Sequence, residues 1–448
     1  MSDPVAGRVS TPEVSPSLLL AGLTLFYTSN FVDRAILNIV AEPIKKDLGL
    51  TDTQLGVLGG IAFAAIYATL GIPLARLAER KSRLAIITTA LTIWSVFTMI
   101  CGAAGSFWQL AIARAGVGVG EAACTPCAHS MIGDAFPPEK RATAISIYSL
   151  GIPLGTLAGI VGGAWVAEAY GWRMAFVAVG APGLLLALIA AFVLKEPVRG
   201  RYDPPVSTTP PSLGVVIGHL WSRPAFRNLL VGVTISTMIA AGHGAFGAPF
   251  LLRSPFDISY TEVSLIMGAS AGVAGFIGTL LGGMLADKLS KRDTRLLLQV
   301  PAIAYLAIAP ILAFAYSSDT LAILIGLSLL GAVGMTVYLG PTFGALHNMV
   351  EPRMRATAVA LVFMIVSLVG LGIGPVLVGA ISDFAASTFY NAGTLCAIES
   401  AACAEAGFAG LRVAMVITAV LYLIPAFFYY RASLTLKDSV LSATATVH

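Results

Sequence analysis

Charge is scarce in this sequence. Of 448 residues only 11% are Asp, Glu, Lys or Arg, whereas 57% are hydrophobic, and the mean hydropathy is +0.86. A water-soluble surface needs about a quarter of its residues charged. A soluble protein is therefore excluded, and with it the two or three soluble domains that the length alone would allow. Cysteine is equally sparse and forms no disulfide framework. Cys101, Cys124 and Cys127 fall in apolar runs, while Cys396 and Cys403 share one polar loop and either pair there or stay as thiols. His129, near the Cys124–Cys127 thiols, is not a metal site on this spacing, and no metal, cofactor or nucleic-acid partner is expected. The first sixteen residues are polar and contain proline, and no cleavable signal peptide is expected before the first apolar run.

What is abundant is long apolar sequence. Runs of about 20 residues, the length a bilayer requires, fall near 17–40, 53–75, 84–104, 107–133, 143–167 and 173–194, then near 226–251, 262–286, 296–316, 320–349, 356–382 and 408–431. The runs are continuous rather than alternating, which selects helices over a barrel. The spacing predicts an all-α membrane protein with twelve transmembrane helices. Its expected parts are a tail over 1–16, a six-helix bundle over 17–195, a linker over 196–225 rich in proline and charge, a second bundle over 226–431, and a disordered polar tail over 432–448.

Orientation follows from the basic residues. Twenty of the 27 Lys and Arg fall in segments on one side, five on the other (Lys45, Lys46, Arg173, Arg253 and Arg412), and Arg34 and Arg114 inside spans. The positive-inside rule places both termini in the cytoplasm. The two halves also repeat. ARLAERKSR (75–83) follows the second run and GMLADKLSKR (283–292) the eighth; RATA follows the fourth run at 141–144 and the tenth at 355–358.

These paired loops resemble the signature of the major facilitator superfamily, roughly G-x-L-a-D-r-x-G-r-k. The copy at 283–292 matches at Gly283, Leu285, Asp287 and Lys288; the first copy has Ala75, Glu79 and Ser82 where glycine, aspartate and glycine are expected. NFVDRAILNIVAEPIKKDLGLTDTQLGVL (30–58), RAGVGVGEA (114–122) and GDAFPPEKRA (133–142) resemble the Spinster family, transporters of sphingoid and lysophospholipid-type molecules. The resemblance implies two six-helix bundles with inverted repeats, a substrate cavity between them and alternating access in a cell (inner) membrane. It also implies a cytoplasmic gate built from Glu79, Arg80, Arg83, Asp134, Arg141 and Asp287.

Four charges lie deep in the expected spans: Asp33 and Arg34 in the first, Arg114 and Glu121 in the fourth. Each costs at least about 2.5–3.5 kcal/mol at mid-bilayer, so such groups face a cavity and pair. Arg114 and Glu121 are seven residues apart and share a helix face without touching. Asp33 is expected to pair with Arg114 or lie near Glu121, with Arg34 as counter-charge to the remaining acid. A carboxylate whose arginine partner moves away changes its affinity for protons. Asp33 and Glu121 are therefore the expected proton sites, with Arg34 and Arg114 as partners or as ligands for an anionic headgroup. A static network fixing two helices is the alternative.

Gly116 and Gly120 form G-x-x-x-G, a close-approach face. Gly151, Pro153 and Gly155, with Gly374 and Pro375 in the corresponding later span, are expected either to pack tightly or to serve as hinges. On helices that line cavities in the superfamily, Tyr27, Asn30, Tyr148, His243, Phe246, Tyr338 and Phe363 are candidate substrate contacts, each equally open to a packing role. The Cys124–Cys127 spacing and the G-x-S-x-G match at 268–272 sit in spans and carry no thiol or hydrolase chemistry. No nucleophile or metal set suggests a membrane enzyme. The expected protein is a monomeric carrier of a small amphipathic substrate in contact with membrane lipids, coupled to protons. A multidrug or organic-anion proton antiporter and a proton-gated uniporter are the alternatives.

Overall fold

A computed structural model describes residues 15–199, 201–202, 212–350, 354–390 and 401–445, and every regular element among them is helical. The helices are α1 (Pro16–Leu48), α2 (Asp52–Gly59), α3 (Ile61–Arg80), α4 (Arg83–Cys101), α5 (Phe107–Glu121), α6 (Cys124–Ala135), α7 (Pro138–Ser149), α8 (Gly151–Tyr170), α9 (Trp172–Val193) and α10 (Leu213–Trp221). They continue as α11 (Pro224–Arg253), α12 (Tyr260–Gly268), α13 (Gly275–Ser290), α14 (Leu296–Ser317), α15 (Leu321–Thr336), α16 (Leu339–Asn348), α17 (Arg355–Ile365), α18 (Gly372–Tyr390), α19 (Ala401–Val420) and α20 (Leu423–Ala445). Starts and stops follow local chemistry. Proline opens α1, α7 and α11, where its missing N–H has no partner to lose. Capping boxes at Thr51–Gln54 and Ser259–Glu262 open α2 and α12. Gly49, at φ +61°, closes α1 in the left-handed region.

Among the described residues, ten helical stretches are long and apolar enough to cross a membrane. The two remaining apolar runs are α1 and the α5–α6 pair, which carry Asp33, Arg34, Arg114 and Glu121. The run at 107–133 is not one helix. It breaks at Ala122–Ala123, because Pro126 has no N–H for the Ala122 carbonyl and its ring clashes there. The same four-residue offset relates Pro153 to the break after Ser149, and Pro341 to the break at Val337. Pro375 follows a π-turn over Val366–Leu371, and a second π-turn lies at Ala269–Ala274 after α12.

Packing repeats along the chain. α1 runs along α8 as α11 runs along α18, and α4 runs along α9 as α14 runs along α20. Helices from the first and second parts meet where α2 packs on α18, α1 on α11 and α8 on α12. Two expectations need correction. The stretch after Arg431 is not a disordered tail: α20 continues to Ala445, because Ala432, Ser433, Leu436 and Ser439 are buried and Arg223 donates to the Ser439 carbonyl. The segment expected as linker contains the helix α10, which buries Val216 and Leu220.

Candidate functional site

Glycine packs α5, which carries Arg114 and Glu121, closely on α4. A Cβ on Gly116 would lie 2.3 Å from the Phe97 ring, and one on Gly120 would lie 2.7 Å from the Ala90 carbonyl, so α5 approaches α4 with no room for a side chain. From the same helix Arg114 and Glu121 reach α1. Glu121 Oε2 accepts from Arg34 Nε at 2.6 Å, with the Glu121 side chain fully buried. Three rings surround the Arg34 guanidinium: Phe31 at 5.3 Å, Phe63 at 4.8 Å and Tyr67 at 4.8 Å from its carbon. Such contacts favour a cation that has left bulk water. Arg114 also lies near the Phe63 ring, at 5.5 Å from its centroid.

Asp33 is placed differently. It is fully buried, and neither carboxylate oxygen has a hydrogen-bond partner in the protein. Arg114 Nη1 donates instead to the Asp33 main-chain carbonyl at 3.4 Å. Trp94 and Thr98 of α4 face the Asp33 side chain, and Asn30 faces Glu121. The four charges therefore form one cluster with a single side-chain ion pair, Arg34–Glu121. The side-chain pairing of Asp33 with Arg114 is not formed. The reason is that Arg114 reaches α1 at its backbone.

The expected substrate contacts separate into groups. Tyr148 is buried and stacks on Tyr27 with centroids 4.3 Å apart; Asn30 is buried beside the charges. His243 and Tyr338 line a cavity of about 300 Å³ between α11, α12 and α15. Phe246 points into the core, and Phe363 is half exposed and stacks on Phe343 at 5.1 Å. The Gly151 and Gly155 stripe lies against α1, where Cβ atoms would strike Thr28 and Phe31, and Gly374 lies against the Met238 carbonyl of α11. Pro153 and Pro375 stand at the helix break and the π-turn already described.

Of the expected gate, Arg83 is buried and pairs with Asp134 and with Glu196, whose Oε1 accepts from Arg83 Nε at 2.9 Å. Arg80 is exposed. The side chains of Glu79, Arg141 and Asp287 lie outside the described residues, as does Cys396; Cys403 is disulfide-bonded. Glu196 was not expected in this cluster. Burial works against its charged form, but hydrogen bonds from Ser82 and Arg83 outweigh that and hold its carboxyl below the usual range.

Sequence reasoning missed a second polar cluster at the opposite end. Asp52 accepts from Lys45 Nζ at 2.6 Å, from both terminal nitrogens of Arg253 at 2.7 and 2.8 Å, and from Ser382 Oγ at 2.6 Å. Arg253 Nε also donates to Glu42 at 2.7 Å. Asp383 accepts from the backbone N–H groups of Asp52 and Thr53 at 3.0 and 2.8 Å, capping α2 from α18. Together with Thr261–Glu168, these hydrogen bonds join residues 16–199 to 212–445 at the Asp52 end. Glu42, Lys45 and Asp52 fall within the quoted stretch 30–58, but Arg253, Ser382 and Asp383 are more than 200 positions away, so no local pattern marked the cluster.

The Major Facilitator Superfamily pattern matches residues 23–375. The chain is 37% identical over 366 residues to an MFS-type efflux pump of Mycolicibacterium smegmatis, covering 81% of this chain and 83% of that protein. It is 28% identical to protein spinster homolog 1 of Xenopus tropicalis, covering 81% and 72%. A solved bacterial homolog of the human lysosomal transporter Spinster, inward-facing and unoccupied, superposes with TM-score 0.88 at 34% identity, covering 96% of this chain and 99% of that one.

Proposed function

The chain belongs to the Major Facilitator Superfamily and is a Spinster-like transporter rather than an enzyme, and from that premise we propose that it is a proton-coupled carrier of an amphipathic lipid. In this reading twelve spans form two six-helix bundles in the inner membrane, with both termini cytoplasmic, and the protein works as a monomer. α1 and the α5–α6 pair are the two spans that charge makes less apolar. The end that carries Asp52 then faces away from the cytoplasm and is closed, while the Arg83 end faces it, an inward-facing arrangement.

The observation that carries the proposal is the unequal setting of the two intramembrane acids. Glu121 is held by Arg34, whereas Asp33 is buried with no partner on either oxygen. A buried carboxylate with no hydrogen-bonded counter-charge on its oxygens is costly when ionised, and a proton on it removes the charge. Asp33 is thus the site that carries the proton in this state. Arg34 is the group that releases Glu121 when a substrate headgroup competes for the guanidinium. The cavity that Arg34 lines, about 240 Å³, is otherwise walled mostly by apolar residues such as Phe31, Ile39, Ile160 and Met267, with Asn38 and Thr156 as further polar groups, which suits an amphiphile with an anionic or zwitterionic head.

The efflux-pump relative favours a second reading, export of lipophilic organic ions through the same cavity. Proteoliposomes with an imposed pH gradient separate the two. Gradient-dependent movement of lysophospholipid or sphingoid base, lost in Asp33→Asn, is the expected result. Movement of cationic dyes alone supports the second reading, and movement indifferent to the gradient removes proton coupling.

A further inference from the structure

A pocket of about 490 Å³ lies between the turn that joins α13 to α14 and the end of α20, and its lining is polar throughout. Lys291, Arg292 and Arg295 come from the turn, and Lys437 comes from α20, more than 140 positions later. Ser290 and Thr294 add hydroxyls, and Asp293 is the one acid in the lining. Its Oδ1 accepts from the Arg295 backbone N–H at 2.9 Å. None of the four cations pairs with an acid among the described residues.

Orientation alone does not explain this arrangement. The positive-inside rule asks for basic residues on one side of the bilayer and is met wherever on that side they stand. It gives no reason for a cation of α20 to converge with three from a distant turn, against their mutual repulsion. The surroundings supply a reason. α14 and α20 pack along each other, and both carry exposed apolar residues leading away from the pocket. On α20, Phe427, Tyr430, Leu434 and Lys437 recur at helical spacing and are all exposed, so one stripe turns from apolar to cationic where it reaches the pocket. On α14, Ile303 and Leu306 are exposed two to three turns beyond Arg295, about 12–17 Å along the axis. Cations standing over apolar helix surface match the two parts of a phospholipid, a charged head and chains that follow the helices.

We propose that this pocket binds the phosphate headgroup of an anionic phospholipid, whose acyl chains lie along the exposed faces of α14 and α20. The arginines can take two phosphate oxygens each, the lysines act as point charges, and the hydroxyls donate further hydrogen bonds. Four cations against one acid favour a head with net negative charge over a zwitterionic one, whose own ammonium is repelled. The pocket shares no lining residue with the cavity at Arg34, so this lipid is a partner of the protein and not its cargo. Bound there, it ties the start of α14 to the end of α20.

The test titrates the purified full-length protein with dioctanoyl phosphatidylglycerol, dioctanoyl phosphatidylcholine and glycerol 3-phosphate. Phosphatidylglycerol is expected to bind about tenfold more tightly than phosphatidylcholine. Lys437→Gln should weaken phosphatidylglycerol about fivefold, and Arg292→Gln with Arg295→Gln about thirtyfold, the change expected for one and two cations at an anionic head. All three side chains are exposed, so these variants keep the fold. Lys195→Gln makes the same charge change on an exposed residue of the first half and should stay within about twofold. Pocket variants that bind within about twofold of the unaltered protein, or an equal loss in Lys195→Gln, overturn the site. Equal affinity for the two lipids overturns recognition of the anionic head. Glycerol 3-phosphate binding as tightly as phosphatidylglycerol overturns the placement of the chains and makes the pocket a site for a soluble phosphate.

Discussion

Asp33 and Glu121 are both buried carboxylates, and their difference lies in their neighbours: Glu121 is ion-paired to Arg34 at 2.6 Å, whereas the Asp33 carboxylate has no ion pair. Neutralising either one, as Asp33→Asn or Glu121→Gln, is expected to abolish the pH dependence of transport and of the conformational equilibrium. Spin-label distances across the Arg83 end, followed from pH 5 to 8, check this; an unaltered pH response in both variants would overturn the coupling role. Arg253 is the corresponding single residue at the other end. It serves both Asp52 and Glu42, so Arg253→Ala leaves two buried acids short of a cation. Removing one partner of a buried pair costs about 3–5 kcal/mol. The closed Asp52 end should open, and crosslinking of cysteines placed on α2 and α18 should fall sharply. Glu196 supplies a pH prediction outside the membrane. Its carboxyl is held below the usual range, so its stabilising effect is fully present above the unfolded value of about 4.3 and is lost as pH falls through the lower folded value. The difference in thermal stability between the native protein and Glu196→Gln should therefore be flat from neutral pH to about 5 and shrink below about 4.

At the level of helices, prolines and glycines decide where motion is possible. Pro126, Pro153 and Pro341 each interrupt a span at the carbonyl four residues earlier, so three long apolar runs become jointed pairs. The apolar pattern could not reveal this, because hydropathy is continuous across a break in hydrogen bonding. Proline position does, through the carbonyl four residues before it. Contacts between the halves depend on glycine at α2 and α18: a Cβ on Gly379 would lie 2.2 Å from the Asp52 carbonyl, and one on Gly56 would lie 2.3 Å from the Pro375 carbonyl. Gly379→Leu is expected to prevent closure of the Asp52 end and to lower transport by an order of magnitude or more, while the folded yield in detergent stays near normal. Normal transport in this variant would show that the close approach is dispensable.

Over the whole molecule, the stretch after Arg431 tests how far composition misleads. ASLTLKDSV reads as polar, yet its helical spacing places Ala432, Leu436 and Ser439 on one buried face. Leu436→Ala should cost about 2–4 kcal/mol and lower the midpoint of thermal unfolding by several degrees. A disordered tail would give no change.

The sequence by itself determined the class, an all-helical chain built for a bilayer, because low charge and long apolar runs admit no other solvent. It also determined the family, through loop motifs that repeat between halves, and it marked the four interior charges, because charge in an apolar run is conspicuous. Only the tertiary structure decided how those charges pair. Arg114 reaches the Asp33 backbone rather than its carboxylate, and three rings from α1 and α3 enclose Arg34. Only the tertiary structure assembled the Asp52 cluster, whose members come from α1, α2, α11 and α18 across more than 300 positions. Hydropathy and motif spacing are properties of neighbours in sequence, whereas an ion pair depends on where helices cross. That crossing is set by small residues and packing far from the charges themselves.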